Sequence, residues 1–260
     1  MKRKCLIFLF LIILLFTLKQ EISAGEYDVE REIDRLKNTY TNFFEINDKQ
    51  KQKNSLKNIL NEAEQLVQTY PDNLHVHEAA AKIFISLGEY HDNPITIYER
   101  GKKFADKIKN ISPESGRGYF WDAAYMGEIG QEQGIFKNLF NVRPMKEKLE
   151  KAIKREPDFA PAYDVLARLY LKAPGWPLSI GNDRKALEYR KKSVELDPGN
   201  YEYQWLLYEN YLEVNKEKEA AAVLEKILEM PEDKEAKFYY GKDITEEIKE
   251  KASKELNRLG

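Results

Sequence analysis

Apolar residues return every three or four positions along this chain, the period of helices that bury one stripe and leave the rest in water. Val29, Ile33, Leu36, Tyr40 and Phe43/Phe44 predict a first helix from Tyr27 to Phe44. Ser55 to Tyr70 predicts a second, stopped at Pro71-Asp72-Asn73, and these two form a first pair. The clearest stretch is Leu149 to Asn200, where KAIKREPDF runs through a proline turn into AYDVLARLY and the same unit returns as KALEYRKKSVELDPGN. That is an internal repeat. A helix pair of this size cannot bury its apolar face alone, so neighbours must stack into a continuous core.

Five prolines mark the ends of the repeat units: Pro71, Pro113, Pro157, Pro198 and Pro231, spaced by 42, 44, 41 and 33 residues. Aligning the units on these prolines puts Gly101, Met145 and Ala186 at one position of the second helix, where small residues let helices approach. Aligning them on the first helix puts Phe84, Met126, Tyr170 and Tyr211 together. The extra length then falls between the two helices of three pairs, as EYHDNPITI, QEQGIFKNLFNVRP and PGWPLSIGNDR, all on one edge of the stack. Asn93-Pro94 reads as a cap and first helical residue that lengthen the second helix upstream. Ile135, Phe136, Leu139, Phe140 and Val142 are apolar at helical spacing and too many for a solvated loop, so they are expected to be covered. Pro174-Gly175-Trp176-Pro177 is a loop, with Trp176 docked on a neighbouring helix and Asn182 or Asp183 capping the helix that follows. Past Pro231, Asp243 with Glu246 starts a last helix lined by Ile244, Ile248, Ala252, Leu256 and Leu259, a cap over residues 244–259.

Ala162-Tyr163, Leu166-Ala167, Tyr170, Ala186, Arg190, Ser193 and Pro198 stand where tetratricopeptide repeats place their aromatic, Leu, small, Tyr, Ala, large, small and Pro residues. The sequence resembles that family, which implies an all-α solenoid of about five helical hairpins with a C-terminal capping helix. Within it, Gly118-Tyr119-Phe120-Trp121-Asp122-Ala123-Ala124, GIFKNLFNVRPMKEKLEKAI and PGWPLSIGNDRKALEY are similar to the T component of TRAP transporters. A weaker similarity is to the regulator of microtubule dynamics family, in the repeat spacing and the Met230-Pro231 ending. The tetratricopeptide resemblance implies that the second, fifth, ninth and thirteenth residues of a first helix face a concave groove, which here selects Arg117, Phe120, Arg168, Lys172 and Trp205. The T-component resemblance implies an exported accessory subunit that meets a solute-binding subunit, self-associates, and offers an apolar cleft to a small ligand.

Met1-Lys2-Arg3-Lys4, the apolar run Cys5–Leu18 and Ile22-Ser23-Ala24-Gly25 read as a basic start, core and cleavage site of a secretory signal over residues 1–24. The run is shorter than the ~20 residues that span a bilayer, so an uncleaved anchor is the alternative. The expected address is periplasmic or otherwise extracytoplasmic, with residues 25–260 as the repeat domain. Cys5 is the only cysteine, which leaves that domain without disulfide chemistry and dependent on packing. The 42 Lys and Arg against 44 Asp and Glu give a net charge of −2, with no basic surplus for nucleic acid.

Catalytic chemistry has no sequence support. His75, His77 and His91 are the only histidines, and His75 and His77 point to different faces of a helix, so they do not share a metal. No phosphate loop, dinucleotide fingerprint or nucleophile elbow occurs, and no cofactor is expected. The reading is a non-enzymatic binding module: a scaffold for a protein partner through its groove, or a small-ligand carrier whose apolar insertion closes that groove.

Overall fold

The computed structural model describes residues 28–231 and 244–259. The leader over residues 1–24, Tyr27 and the expected cap Asp243 lie outside the described residues. Ten helices follow one another as hairpins: α1 (28–43) with α2 (Lys49–Thr69), α3 (Leu74–Leu87) with α4 (Pro94–Ile111), α5 (Arg117–Glu132) with α6 (Ile135–Arg155), α7 (Ala160–Lys172) with α8 (Asp183–Leu196), and α9 (Tyr201–Glu213) with α10 (Glu217–Glu229). A last helix, α11 (Thr245–Leu259), packs on α10 and α9. The architecture is the expected all-α helical solenoid, each helix packing on the next in sequence. α2 begins at Lys49, earlier than expected from Ser55, because Asp48 caps it by accepting from the Lys51 amide at 2.7 Å.

Local chemistry sets the boundaries. Asn73, Asn93, Asn182 and Asn200 cap α3, α4, α8 and α9 by accepting the amides of Val76, Thr96, Lys185 and Tyr203. Each of the five prolines falls just past the end of a second helix, where a missing N–H costs nothing. The carbonyl it leaves in the turn is then used. His77 Nε2 lies 2.9 Å from the Pro71 carbonyl, Tyr163 Oη donates to that of Pro157 at 2.9 Å, and Gln204 Nε2 donates to that of Pro198 at 2.8 Å. Imidazole, phenol and amide thus perform one task six residues past the proline, tying each turn to the first helix that follows it.

The core runs the length of the stack. Leu36, Ile59, Phe84, Ile97 and Tyr125 belong to its first section, Leu149, Ala162, Leu166 and Ala186 to the middle, and Leu207, Leu224, Ile248 and Ala252 to the last. Gly101, Met145 and Ala186 are all buried. Gly101 is there because α4 crosses α5 closely: a Cβ at that position would lie 2.2 Å from Tyr125 Oη, which itself donates to the Ala81 carbonyl at 2.6 Å. Ile248 and Ala252 of α11 close the last core section, leaving a polar outer face as a solenoid end requires.

The three insertions take three forms. The first lengthens α4 upstream from Pro94, as expected. The second is the first part of α6, a single helix that continues through Pro144. Val142 is buried and Leu139 half-buried, but Phe136 and Phe140 are 82% and 77% exposed in the single chain, so no described residue of this chain covers them and the expected cover is left to another molecule. Both fall one turn apart on the face of α6 away from α5 and α7. The third insertion is a loop pinned at its base, where the Gly181 amide donates to the Pro174 carbonyl at 2.8 Å and the Asn182 amide to that of Tyr170 at 2.9 Å. Trp176 at its tip is 89% exposed, not docked on a neighbouring helix, because the pinned base aims the tip outward.

Candidate functional site

The first helices of successive pairs are joined by ion pairs. On α5, Arg117 reaches back to Glu78 of α3 at 2.9 Å and to Glu156, in the turn before α7, at 3.0 Å. Its guanidinium also lies over the Phe159 ring. On α7, Arg168 holds Asp164 of its own helix at 2.9 Å and Glu202 of α9 at 2.8 Å. Lys82 of α3 feels both Glu202 and Arg168, although α3 and α9 are three pairs apart in sequence. The charged positions of α3, α7 and α9 thus share one side of the stack, the inner side that the first helices line and that is here called the concave row.

Burial there leaves a mark on titration. Lys82 is pushed down to about 8, by loss of hydration first and by Arg168 next, with Glu202 opposing. It is half-buried and makes no hydrogen bond or ion pair with another described residue. Glu78 is raised by burial, against the pull of Arg117. Toward the far edge, Glu128 of α5 is raised by burial and by Glu89 and Glu132, with Lys172 opposing.

Two charged clusters lie beneath this surface. Asp164 also pairs with Arg190 of α8, whose side chain is 1% exposed and donates through Nε to Asn210 Oδ1 at 3.2 Å. Asp122 of α5 is buried and accepts from Lys148 at 2.6 Å and Lys109 at 3.0 Å. Burial pushes its carboxyl up, but the two lysine hydrogen bonds outweigh that and hold it below the usual range.

Arg117 and Arg168 are therefore side chains of the concave row, each committed to carboxylates of this chain. Phe120 is 8% exposed and wedged edge-on against Phe159 and Trp121, so it packs α5 on its neighbours and presents little surface to a groove. Lys172 is exposed at the end of α7. Trp205 is half-buried on α9, its indole N–H donating to Glu209 at 2.8 Å. The sequence reading missed Lys82, Glu78, Asp164 and Glu202. Their signal was charge at the positions equivalent to those of Phe120, Arg168 and Arg117. The sequence reading also took Arg190 only for its bulk.

Elsewhere, an open depression of about 270 Å³ between α1 and α2 is walled by Arg35 and Glu62, which pair at 2.9 Å. Among the described residues no group of His, Cys, Asp and Glu is placed to hold a metal ion.

This hairpin stack with an ion-paired concave row has the fold of tetratricopeptide-repeat proteins. A similar solved structure is TTC0263, a thermophilic tetratricopeptide-repeat protein of Thermus thermophilus, with a TM-score of 0.59 at 16% identity over 78% of this chain and 92% of that one. MamA protein aligns with a TM-score of 0.42 at 20% identity over 76% of this chain and 93% of its own. YrrB, described as a tetratricopeptide protein with an unusual peptide-binding site, aligns with a TM-score of 0.39 at 14% identity over 66% and 76%. No protein-family model and no curated protein matches the sequence.

Proposed function

We propose that this chain is an exported, non-enzymatic interaction module whose concave row of first helices takes an extended segment of a protein partner. The observation that carries the reading is Lys82. Arg117 and Arg168 are already neutralised by Glu78, Glu156, Asp164 and Glu202, whereas Lys82 is a half-buried donor on the same surface with no carboxylate in ion-pairing range among the described residues. A partner's carboxylate or backbone carbonyl supplies the acceptor it lacks, and regains the hydration free energy that burial removed. Trp205, half-buried further along the row, offers an aromatic face for an apolar side chain of the same segment.

The secretory reading of residues 1–24 places this partner outside the cytoplasm, and the resemblance to the T component of TRAP transporters makes a solute-binding subunit one such partner. That resemblance also supplies the carrier reading, in which an apolar small ligand sits under the insertion. Phe136 and Phe140 stand in solvent, so the scaffold reading has the better support.

Capture from the host's envelope fraction tests it. Lys82→Glu is expected to abolish capture of the partner held by the wild-type chain, and Lys154→Glu, on an exposed face of α6, to leave it intact. Equal capture by all three chains would move the site off the concave row.

A further inference from the structure

Among the described residues, the large apolar side chains that stand most exposed are gathered on one edge. Trp176 and Leu178 (74% exposed) project from the loop between α7 and α8, and Phe136 and Phe140 from the start of α6. Tyr90, also exposed, lies between α3 and α4. Because consecutive helices run in opposite directions, the end of α5, the start of α6, the end of α7 and the start of α8 meet at the same edge. Asn141 of α6 donating to the Met126 carbonyl of α5 fixes this alignment for one pair.

The charges of this edge are mixed, five basic and four acidic, and the basic ones flank the apolar tips. Lys137 and Arg143 flank the two phenylalanines, and Lys172, Arg184 and Lys185 flank the loop. All five are exposed, and none forms an ion pair among the described residues. That contrasts with the concave row, where Arg117 and Arg168 each hold two carboxylates. Glu89, Glu128 and Glu132 of the same edge cluster with one another near the end of α5, and Asp183 begins α8.

We propose that this edge is a docking surface for an anionic phospholipid membrane, into whose headgroup layer Phe136, Phe140, Trp176 and Leu178 insert. Shape and charge both select this occupant over a protein. The four side chains are protruding tips on two neighbouring repeats, not the lining of a concavity. An indole and phenyl rings flanked by lysine and arginine without ion pairs match an interface that is apolar below and negative above.

Tryptophan emission tests the edge separately from any anchoring by the N-terminal run. The full chain is mixed with vesicles of phosphatidylcholine and phosphatidylglycerol carrying an acyl-chain spin label. Trp121 and Trp205 are half-buried, so the exposed Trp176 is the reporter, and Trp176→Phe assigns its signal. The expected result is a shift to shorter wavelength with quenching by the labelled lipid, both lost in Trp176→Phe. Phe136→Ser with Phe140→Ser should raise the lipid concentration needed about tenfold. Vesicles of phosphatidylcholine alone should quench less. A Trp176 that iodide reaches and labelled lipid does not, with the chain bound to vesicles, overturns the proposal. Quenching indifferent to the phenylalanine pair overturns it too. A Trp176 protected in lipid-free buffer, in a chain that sediments as a dimer, assigns the edge to a second copy instead.

Discussion

The concave row and the insertion edge invert the usual placement of side chains. Along the row and just beneath it, Glu78, Asp164 and Arg190 are charged yet nearly out of water, and each is held by an opposite charge. On the edge, Phe136, Phe140, Trp176 and Leu178 are apolar yet stand in it. Burying a charge and exposing an aromatic ring both work against folding, so neither is expected where packing alone is at stake. The difference lies in what each region must satisfy. The row must keep its charges matched for the solenoid to fold, whereas the four exposed tips of the edge add little to its packing.

Removing Asp164 is the most damaging way to break that contrast. It leaves the guanidinium of Arg190 in the interior without this carboxylate and frees Arg168 from one of its two partners. Asp164→Ala is expected to cost about 3–5 kcal/mol in chemical denaturation, the usual penalty for breaking a buried pair from one side. A loss under about 1 kcal/mol would mean that water reaches Arg190 and that the row is not a buried network.

The scaffold was legible in the sequence for a physical reason: helical periodicity and the turn prolines are local signals, and each unit repeats them. Ala186 was assigned to a helix contact from its register alone, and it is fully buried between the α5–α6 and α7–α8 pairs. The charges of the row were harder to read. Glu78, Asp164 and Glu202 sit at positions where a solenoid shows polar side chains anyway, so nothing in the sequence separates a solvated acid from one locked to the next repeat. Phe120 illustrates the converse. Its position in the first helix is a groove position, but α7 brings Phe159 over it, a contact that depends on the angle between pairs and not on spacing along the chain. The exposure of Phe136, Phe140 and Trp176 was also illegible, since apolar residues at helical spacing carry the same pattern whether or not a neighbour covers them.

A milder test probes packing with no charge involved. Ala186→Leu adds three heavy atoms to a contact with no free volume and should cost about 1–3 kcal/mol. A melting curve equal to that of the wild-type chain would show that α8 has room to shift away from its neighbours.

Lys82 sharpens the contrast from the row's side through pH. Its folded value, about 8, lies below that of an unfolded lysine, so between these values the unfolded chain holds more protons than the folded one. Stability therefore carries the full burial cost of this charge below pH 8 and regains it as pH rises from about 8 toward 10. Lys82→Met removes the charge and is expected to stabilise the chain by about 1–2 kcal/mol at pH 7. The gain should fade by pH 10, where the wild-type side chain is largely neutral. Denaturation at the two pH values checks the sign. A gain that is the same at both would place Lys82 in bulk water, where it exerts no pull on a partner.

The smallest expected effect comes from the edge, and its smallness is the point. Phe136→Ser with Phe140→Ser removes two large apolar side chains, a change that costs about 3–5 kcal/mol for a single aromatic ring in a packed core. Here both rings are more than three-quarters exposed, and the neighbours that anchor α6, Val142, Met145 and Leu149, are untouched. Little apolar surface returns to water in the unfolded state that was not already there in the folded one. The expected change is within about 0.5 kcal/mol, with solubility rising as exposed apolar area falls. Thermal denaturation of the dilute chain in lipid-free buffer reads the first, and light scattering at high concentration the second. A loss of several kcal/mol would show that the two rings are covered in the dilute chain, by its own residues or a second copy. The edge would then be part of the fold and no longer the counterpart of the concave row.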